Sequence, residues 1–207
     1  MKLTLFGASG AIGRLLLDGA LAEGHEVRAI VRNPTAFTPT SKLDIVRAAP
    51  DDDAAIAEAI RGSDAVLSAL GTSTKRDAAA VTAFVARIVA AMDRERIARF
   101  VGISGAGVLA EGDNRTLAGR VMKLGAGLFY ADMVAQKQDE YRVIAKSATD
   151  WTLVRPTALT DGAPRGKWRT SLASPPGPRI SRADVATFML QAVSEREWSR
   201  KAPFVTW

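Results

Sequence analysis

Cysteine is absent from the 207 residues of this chain, and histidine occurs once, as His25. The absence of cysteine excludes disulfide bonds, thiolate metal ligands and a cysteine nucleophile. One histidine without cysteine does not provide a zinc ligand set, so we expect no metal site. The sequence pattern places His25 in the turn between the first helix and the second strand, which is the wrong end of a parallel sheet for catalysis.

Long apolar runs are also absent. No stretch approaches the roughly 20 apolar residues that a membrane-spanning helix needs. At the start, Lys2 is followed by a short strand pattern and a glycine turn instead of a secretory leader. We therefore expect a cytoplasmic protein that has no membrane partner.

The formal net charge of +6 is the feature of the composition that would suit a nucleic-acid partner. However, the basic residues are interleaved with acidic ones, and they do not cluster with aromatic residues. We expect a solvated basic surface that favours an anionic cofactor. The sequence thus predicts no nucleic-acid partner, and we expect a monomer or a small homo-oligomer.

Strand patterns and helix patterns alternate along the chain. The predicted strands are residues 3–6, 27–31, 44–46, 65–70, 99–103, 151–154 and 204–205. The predicted helices include residues 12–23, 53–60 and 81–92, and a last helix that begins after Ser181. This alternation is typical of an α/β fold with a Rossmann-type doubly wound parallel sheet. No linker or repeat interrupts it, so residues 1–207 are predicted to form a single domain.

Three glycines follow the first strand at intervals of three residues, and a helix pattern begins at the third. Glycine permits the turn and lets the backbone approach a pyrophosphate closely. The free N–H groups and the positive end of the helix dipole then face the anion. We therefore predict that a dinucleotide cofactor binds here, at Gly7, Ala8, Ser9, Gly10, Ala11 and Ile12.

Arg32 ends the second strand, 19 residues after Gly13. An acidic residue at about this distance would bind the ribose 2′-hydroxyl of NAD. Arginine instead presents a planar cation that suits a 2′-phosphate, and no acidic residue occurs between residues 29 and 33. We therefore predict that NADP(H) is the cofactor.

Proline and glycine concentrate in the long connection after the sixth strand. A connection of this length is either functional or mobile, and ligands of this fold bind beyond the carboxyl ends of the strands. We predict substrate-side segments at about 104–130 and 157–180, the first of which is apolar, glycine-rich and suited to a lid or a subunit contact. Within or beside the second segment, Trp168 could stack on a planar ligand or pack on the surface. Arg155 and Arg165 could bind an anionic substrate or remain solvated.

Seven segments together resemble the atypical short-chain dehydrogenases that bind NAD(P)H, and among these the branch of biliverdin reductase B, flavin reductase and NmrA-like proteins. The segments are GASGAIG at 7–13, GHEV at 24–27, VRNP at 31–34, AVLSALG at 65–71, SGAG at 104–107, WTLVRP at 151–156 and ISRADVA at 180–186. The resemblance implies an adenosine side formed by Ala69, Leu70 and Gly71, and a nicotinamide side formed by Ser104, Pro156 and Thr157. Ala48 and Ala49 depart from the family's Gly-Asp pair, which leaves adenine with backbone or apolar contacts.

The resemblance also implies catalytic residues. Carbonyl-reducing short-chain dehydrogenases combine a serine after the fifth strand with Tyr-x-x-x-Lys on the next helix. Ser104 and Lys137 match this pattern, and Lys137 is expected to bind the nicotinamide ribose. Met133 occupies the tyrosine position, and a thioether cannot donate a proton. Tyr130 and Tyr141 lie near the same helical face and could substitute, although packing is the simpler interpretation.

These features predict an NADPH-dependent oxidoreductase that transfers hydride to a flat, conjugated small-molecule acceptor such as a flavin or a quinone. Such acceptors take the hydride on a ring atom, and water can supply the proton, so stacking geometry is the protein's main contribution. Two alternatives stay open. One is an NmrA-like redox sensor that binds NADP(H) without turnover, and the other is a carbonyl reductase or isomerase that uses another tyrosine.

Overall fold

The computed structural model of the protein describes residues 1–71, 75–114 and 128–207, with residues 75–78 and 128–131 described by their backbone only. The strands are β1 (Lys2–Phe6), β2 (Glu26–Val31), β3 (Leu43–Arg47), β4 (Ala65–Ser68), β5 (Arg99–Ile103), β6 (Asp150–Pro156), β7 (Ala158–Thr160), β8 (Arg169–Ser171), β9 (Arg179–Ser181) and β10 (Phe204–Thr206). The α-helices are α1 (Ala11–Ala22), α2 (Asp53–Ile60), α3 (Lys75–Arg94), α4 (Leu128–Lys146) and α5 (Arg182–Ser194).

Eight strands form one sheet in the order β3-β2-β1-β4-β5-β6-β10-β8. All neighbouring strands of this sheet are parallel except β8, which runs antiparallel to β10. The strand order reverses between β1 and β4, and the carboxyl ends of the strands at such a switch point form the ligand crevice of this architecture. The predicted Rossmann-type doubly wound fold is confirmed.

Helices cover both faces of the sheet, because the central strands are apolar on both sides. On one face, α1 and α5 pack against each other, with α1 over β1 and α5 over β5 and β6, and they contribute side chains such as Leu16 and Phe188 to one core. On the other face, α2, α3 and α4 contribute Ile56, Ile88 and Ile144 to a second core. The two cores hold the sheet so that its carboxyl edge is left for ligands.

Several strand ends differ from the predicted ones by one or two residues, and two differences bear on the site. Strand β4 ends at Ser68, two residues early, because the chain leaves the sheet after the Ala69 N–H donates to the Phe6 carbonyl at 2.9 Å. The predicted connection after β6 contains the three-residue strands β7, β8 and β9, of which β7 and β9 pair in parallel. Strands of three residues are too short to show a period. Most of the apolar stretch predicted as a lid or contact falls at 115–127, outside the described residues.

Asp184 ties the segment after β6 to the start of α5. As the sequence predicts, Ser181 caps this helix, and its Oγ accepts the Asp184 N–H at 3.0 Å. The buried Asp184 carboxylate accepts the backbone N–H groups of Arg165 and Gly166 and the Nε1–H of Trp207, the last at 2.7 Å. Burial alone would raise the pKa of Asp184, but these hydrogen bonds outweigh it and hold the pKa below the ordinary 3.8.

We therefore predict that Asp184→Asn lowers the free energy of unfolding at neutral pH by about 1.5–3 kcal/mol, the scale of hydrogen bonds to a charged group. A depressed pKa means that the ionised form stabilises the fold above the ordinary pKa and loses this effect as the pH falls through the folded-state value. The difference between variant and wild type should shrink below pH 3.8. Urea unfolding across this range measures it, with the exposed Asp18→Asn as control. An equal loss at every pH would contradict a role for the charge.

Candidate functional site

The glycine turn between β1 and α1 is built by backbone contacts. Gly7 has a φ of +83°, and its carbonyl accepts the Gly10 N–H at 3.0 Å. A Cβ on Gly13 would lie 2.0 Å from the Gly7 oxygen, and one on Gly7 would lie 2.8 Å from the Ala69 backbone. A Cβ on Gly10 would meet only the Gly7 oxygen, at 3.4 Å. The fold thus requires Gly7 and Gly13, whereas a Cβ on Gly10 would make one contact at ordinary van der Waals distance.

A cleft of about 320 Å³ begins at this turn and crosses the carboxyl ends of β1, β2 and β4. It is lined by Gly7, Ser9, Gly10, Ile30, Val31, Arg32, Ala48, Pro50, Ala69, Leu70, Gly71, Ala80, Val81 and Phe84. Seven residues of the predicted cofactor set are among them. Ala8, Ala11 and Ile12 are not: Ala8 is buried beneath the turn, and the other two begin α1. We call this space the cofactor cleft.

Arg32 lies on the wall of the cofactor cleft, directly after β2, and its side chain is exposed. Within the described residues its guanidinium has no hydrogen bond or ion pair, and no acidic residue lines the cleft. A free cation at this position offers a partner for an anionic ligand group.

A second space, of about 760 Å³, lies beyond the carboxyl ends of β5 and β6. Its walls are mainly apolar, and we call it the acceptor cavity, after the acceptor that the sequence analysis predicts. It is lined by Ser104, Gly105, Ala106, Gly107, Val108, Met133, Val134, Lys137, Pro156, Thr157, Ala158, Leu159, Pro175, Gly177, Pro178 and Arg182. The predicted nicotinamide-side residues Ser104, Pro156 and Thr157 are among these, and both predicted substrate-side segments contribute to the wall.

Two hydroxyl groups at the acceptor cavity lack a partner. Ser104 Oγ and Thr157 Oγ1 are buried, and neither forms a hydrogen bond to any part of the chain that the structure describes. Buried polar atoms in proteins are nearly always hydrogen-bonded. Ser104 directly follows β5, and Thr157 directly follows β6. Their unpaired hydroxyls therefore favour a ligand with polar atoms at this point.

Lys137 connects the two spaces. Its Nζ donates to the Leu70 carbonyl at 2.8 Å, to the Ile103 carbonyl at 3.4 Å and to Glu140 Oε2 at 2.8 Å. An ammonium group has three N–H donors, and these three protein partners can take all of them. The expected contact of Lys137 with the nicotinamide ribose stays a prediction. In the structure, Lys137 links α4 to the chain after β4 and to the end of β5.

The carboxylate that pairs with Lys137 is itself buried. Glu140 is 5% exposed, and Gln136 donates to its other oxygen. Burial raises the pKa of Glu140 above its ordinary value, and the attraction of Lys137 offsets this only in part. Removing either partner of such a pair leaves an uncompensated charge in the interior, so the pair fixes the position of the Lys137 side chain.

No proton donor with an aromatic or carboxylic side chain appears among the described residues that line the acceptor cavity. Met133, at the position of the usual tyrosine, does line it. Tyr141 packs edge-on against Trp151 at 6.0 Å between ring centroids, and its hydroxyl accepts the Glu111 N–H at 3.3 Å. Packing is therefore the role that the structure supports for Tyr141. The side chain of Tyr130 lies outside the described residues.

The expectation that Arg155 is solvated or binds a substrate is wrong. Arg155 is 1% exposed and pairs with Asp113 through two hydrogen bonds of 2.6 and 2.8 Å. Its guanidinium also lies 3.7 Å from the centroid of the Phe204 ring. Arg155 thus holds the loop after β5 against β6 and β10.

Arg165 and Trp168, in the segment after β6, each contact an aromatic ring of the protein. The Arg165 guanidinium lies 3.8 Å from the centroid of the Trp207 ring. Trp168 packs edge-on against Phe188 at 5.8 Å, and it does not line the acceptor cavity. The alternative of a ligand stacked on Trp168 is therefore not supported, and its packing interpretation is.

Arg182 is the cavity residue that the sequence analysis missed. It is the first residue of α5, lines the acceptor cavity, and forms an ion pair with Asp161 at 2.6 Å. In the sequence it stands between the capping residues Ser181 and Asp184, and the helix-cap pattern gives no sign of a ligand role. Its position directly after a strand could have indicated a place at the ligand edge of the sheet, but β9 has three residues and is too short to predict.

Neither a metal cluster nor a membrane span is found in the described part of the chain. Among those residues no three His, Cys, Asp or Glu side chains are arranged to hold a metal ion. No helix there is long and apolar enough to cross a membrane. His25 lies 3.3 Å from Glu23 in the turn between α1 and β2, as predicted.

Comparison with known proteins agrees with this geometry. The protein is 30% identical to the uncharacterized protein YwnB of Bacillus subtilis over 169 residues, which cover 81% of this chain and 76% of YwnB. Its fold matches that of ChuY, an anaerobilin reductase from Escherichia coli O157:H7, with a TM-score of 0.78, 20% identity and coverage of 100% and 97% of the two chains. It also matches a short-chain dehydrogenase/reductase from Veillonella parvula in complex with NADP, with a TM-score of 0.74, 18% identity and coverage of 100% and 94%.

A family described as NAD(P)H-binding matches residues 7–196. The matched region begins at the first glycine of the turn and includes both the cofactor cleft and the acceptor cavity. The NAD(P)H-binding family that the resemblance indicated is confirmed, and the chain belongs to this family, whose cofactor is a nicotinamide nucleotide.

Proposed function

We propose that the protein is an NADPH-dependent oxidoreductase that reduces a flat, conjugated small molecule such as a flavin or a quinone. NADPH supplies a hydride, which carries two electrons, and becomes NADP⁺. The acceptor gains this hydride on a ring atom and one proton from water. The reaction is thus balanced without a protein acid.

The composition of the acceptor cavity is the observation that carries this proposal. The cavity is large and mainly apolar, and its described walls hold no tyrosine, histidine or carboxylic acid. Reduction of a carbonyl group benefits from a positioned acid, whereas hydride transfer to a conjugated ring depends on stacking and distance. Met133 at the edge of the cavity offers a soft apolar contact for such a ring.

The cofactor cleft supports a dinucleotide. Gly10 leaves space for a pyrophosphate at the start of α1, where backbone N–H groups and the helix dipole favour an anion. Ser104 Oγ and Thr157 Oγ1 provide unpaired hydroxyls on the nicotinamide side. The free guanidinium of Arg32 and the lack of acidic side chains in the described cleft support NADP(H) over NAD(H).

In this scheme the residues of the chain position reactants. Ser104 and Thr157 hydrogen-bond polar ligand atoms, and the apolar wall packs against the flat face of the acceptor. Lys137 holds the Leu70 and Ile103 carbonyls, so the chain segments that line the two spaces keep a fixed separation. An expected ribose contact of Lys137 would require its ammonium to release one of these partners.

A redox sensor that binds NADP(H) without turnover is the second candidate. The cofactor cleft alone would serve that function, and the acceptor cavity would then hold no substrate. A carbonyl reductase or isomerase that uses Tyr130 is the third candidate. Steady oxidation of NADPH with a flavin or quinone, followed at 340 nm, distinguishes the proposed function from both.

We predict that Gly10→Val folds but binds NADPH poorly. The backbone of Gly10, with φ of −74° and ψ of 165°, suits any residue, whereas the valine side chain would enter the pyrophosphate space at a cost of about 1–3 kcal/mol, as for overpacking. Calorimetric titration measures binding, and thermal melting measures the fold. Gly13→Ala is the contrasting variant, because its Cβ would meet the Gly7 oxygen and should lower stability. Unchanged NADPH affinity in Gly10→Val would rule out the assigned pyrophosphate site.

We also predict that Arg32→Ala weakens NADPH binding by about 1.5–3 kcal/mol, the scale of hydrogen bonds to a charged group. NADH binding should change much less, because NADH lacks the 2′-phosphate. Titrations with both cofactors measure the difference. Lys146→Ala, which removes an exposed charge at the end of α4, controls for overall charge. Equal weakening of both cofactors by Arg32→Ala would contradict the role given to Arg32.

A further prediction concerns the missing acid. Met133→Tyr would place a phenol one helical turn before Lys137 and at the acceptor cavity, so it should add weak reduction of carbonyl compounds to the flavin or quinone reduction of the wild type. Met133→Phe is the matched control, since it has the ring without the hydroxyl. NADPH oxidation with a panel of flavins, quinones and carbonyls measures both activities. Carbonyl reduction by the wild type, with no reduction of flavins or quinones, would contradict the proposed mechanism.

A further inference from the structure

We propose that Arg182 recognises an anionic group on the acceptor, so that the preferred substrate is a flat conjugated molecule that carries a phosphate or a carboxylate. This inference rests on the proposed function, because it assumes that the acceptor cavity holds the molecule that is reduced. It goes further by naming the charge of that molecule and the residue that selects it.

Two cationic residues line the acceptor cavity, Lys137 and Arg182. Lys137 is committed to protein acceptors, since its three donors face the Leu70 and Ile103 carbonyls and Glu140. Arg182 forms one hydrogen bond, from Nη1 to Asp161, within the residues that the structure describes. A guanidinium has five N–H donors, so Arg182 keeps donors for a ligand.

The carboxylate that pairs with Arg182 is mostly exposed to solvent. The Asp161 side chain is 87% exposed, whereas that of Arg182 is 29% exposed. An ion pair with so solvated a carboxylate contributes little to stability. A ligand anion inside the cavity would face the same guanidinium in a less polar environment, where the attraction between opposite charges is stronger. Asp161 is therefore a counter-ion that a substrate anion can replace.

The rest of the acceptor cavity is complementary to a flat conjugated ring with polar atoms. An apolar wall matches the flat body of a conjugated ring, and the hydroxyls of Ser104 and Thr157 match its polar ring atoms. Beside these hydroxyls, Arg182 is the polar residue of the described wall that keeps free donors, because those of Lys137 face protein acceptors. Phosphate and carboxylate both match the planar arrangement of guanidinium donors, so the shared chemistry is an oxyanion on a conjugated acceptor.

The experiment compares acceptors that differ in this charge. Flavin mononucleotide and riboflavin share one ring system, and the phosphate is present only on the first. Anthraquinone-2-carboxylate and anthraquinone-2-carboxamide form a second pair that tests a carboxylate. For each pair the measured quantity is the ratio of kcat/KM with the anionic acceptor to kcat/KM with the neutral one, at fixed low ionic strength.

We expect Arg182→Gln to lower this ratio about tenfold for at least one pair, as the loss of a charge-assisted hydrogen bond implies. Asp161→Asn should raise the ratio, because it removes the competing carboxylate. Arg179→Gln is the matched control: it removes the same charge from β9, outside the acceptor cavity, and should keep the ratio. A change confined to the flavin pair identifies phosphate as the recognised group, and one confined to the anthraquinone pair identifies carboxylate.

Two results would overturn the inference. One is an Arg182→Gln variant that loses activity equally with anionic and neutral acceptors. The other is a loss in Asp161→Asn that parallels that of Arg182→Gln, because the ion pair would then serve only to close the β7–β9 strand pair.

Failure of the proposed function itself gives a separate signature. If no acceptor is reduced by the wild type, the same pairs are titrated into the protein with NADP⁺ bound, and flavin fluorescence or calorimetry reports binding. Selective binding of the anionic member that depends on Arg182 would support the site without turnover. Equal binding of both members, or none, would overturn it.

Discussion

The approach of Gly13 to the carbonyl of Gly7 is the contact on which the cofactor end of this protein depends. Backbone atoms alone make it, since a Cβ on Gly13 would lie 2.0 Å from that oxygen. Gly7, at positive φ, is pressed in turn against the backbone of Ala69. The first strand, the first helix and the chain after β4 are thereby locked together with no side chain between them. The space that remains is beside Gly10, at the positive end of α1.

A single ammonium group plays the corresponding part between the two ligand spaces. Lys137 contacts the Leu70 carbonyl on the wall of the cofactor cleft and the Ile103 carbonyl next to Ser104. The cost of burying Glu140 beside it shows in the raised pKa of that carboxyl. Such a pair adds little net stability but is expensive to break. We infer that the pair serves to hold Lys137 in place, because Lys137 fixes the distance between the chain after β4, at the cofactor cleft, and the end of β5, next to the acceptor cavity.

The parts of the site that were predictable from the sequence are those set by local chemistry. The glycine turn, the cap at Ser181 and the position of Arg32 each follow from a few consecutive residues. The alternation of strands and helices then limits the sheet to a few possible strand orders, because parallel connections have a fixed hand. The three-residue strands β7, β8 and β9 were not predictable, since each exists only through pairing with a distant strand.

Pairing between distant residues also decided the roles of the charged groups. Arg155 is 42 residues from Asp113 in the chain, and nothing in the local sequence indicates that the two meet. Its burial removes it from the set of substrate ligands, while Arg182, which the sequence presents as part of a helix cap, lies at the acceptor cavity. The sequence therefore predicted the strand ends that border the two spaces better than it predicted the side chains that line them.

The distribution of these cations limits how the protein can control a reaction. Arg99 and Arg155 are buried and bonded to carbonyl or carboxylate oxygens, so they stabilise the fold and have no part in the described cavity walls. Because the described wall of the acceptor cavity holds no carboxylic acid or tyrosine, the mechanism we propose does not select a substrate there by a proton from such a group. In that mechanism, selection comes from shape and from the charge that meets the ligand. An apolar cavity discriminates weakly between rings of similar size. A cation on its wall discriminates more strongly, between anionic and neutral rings.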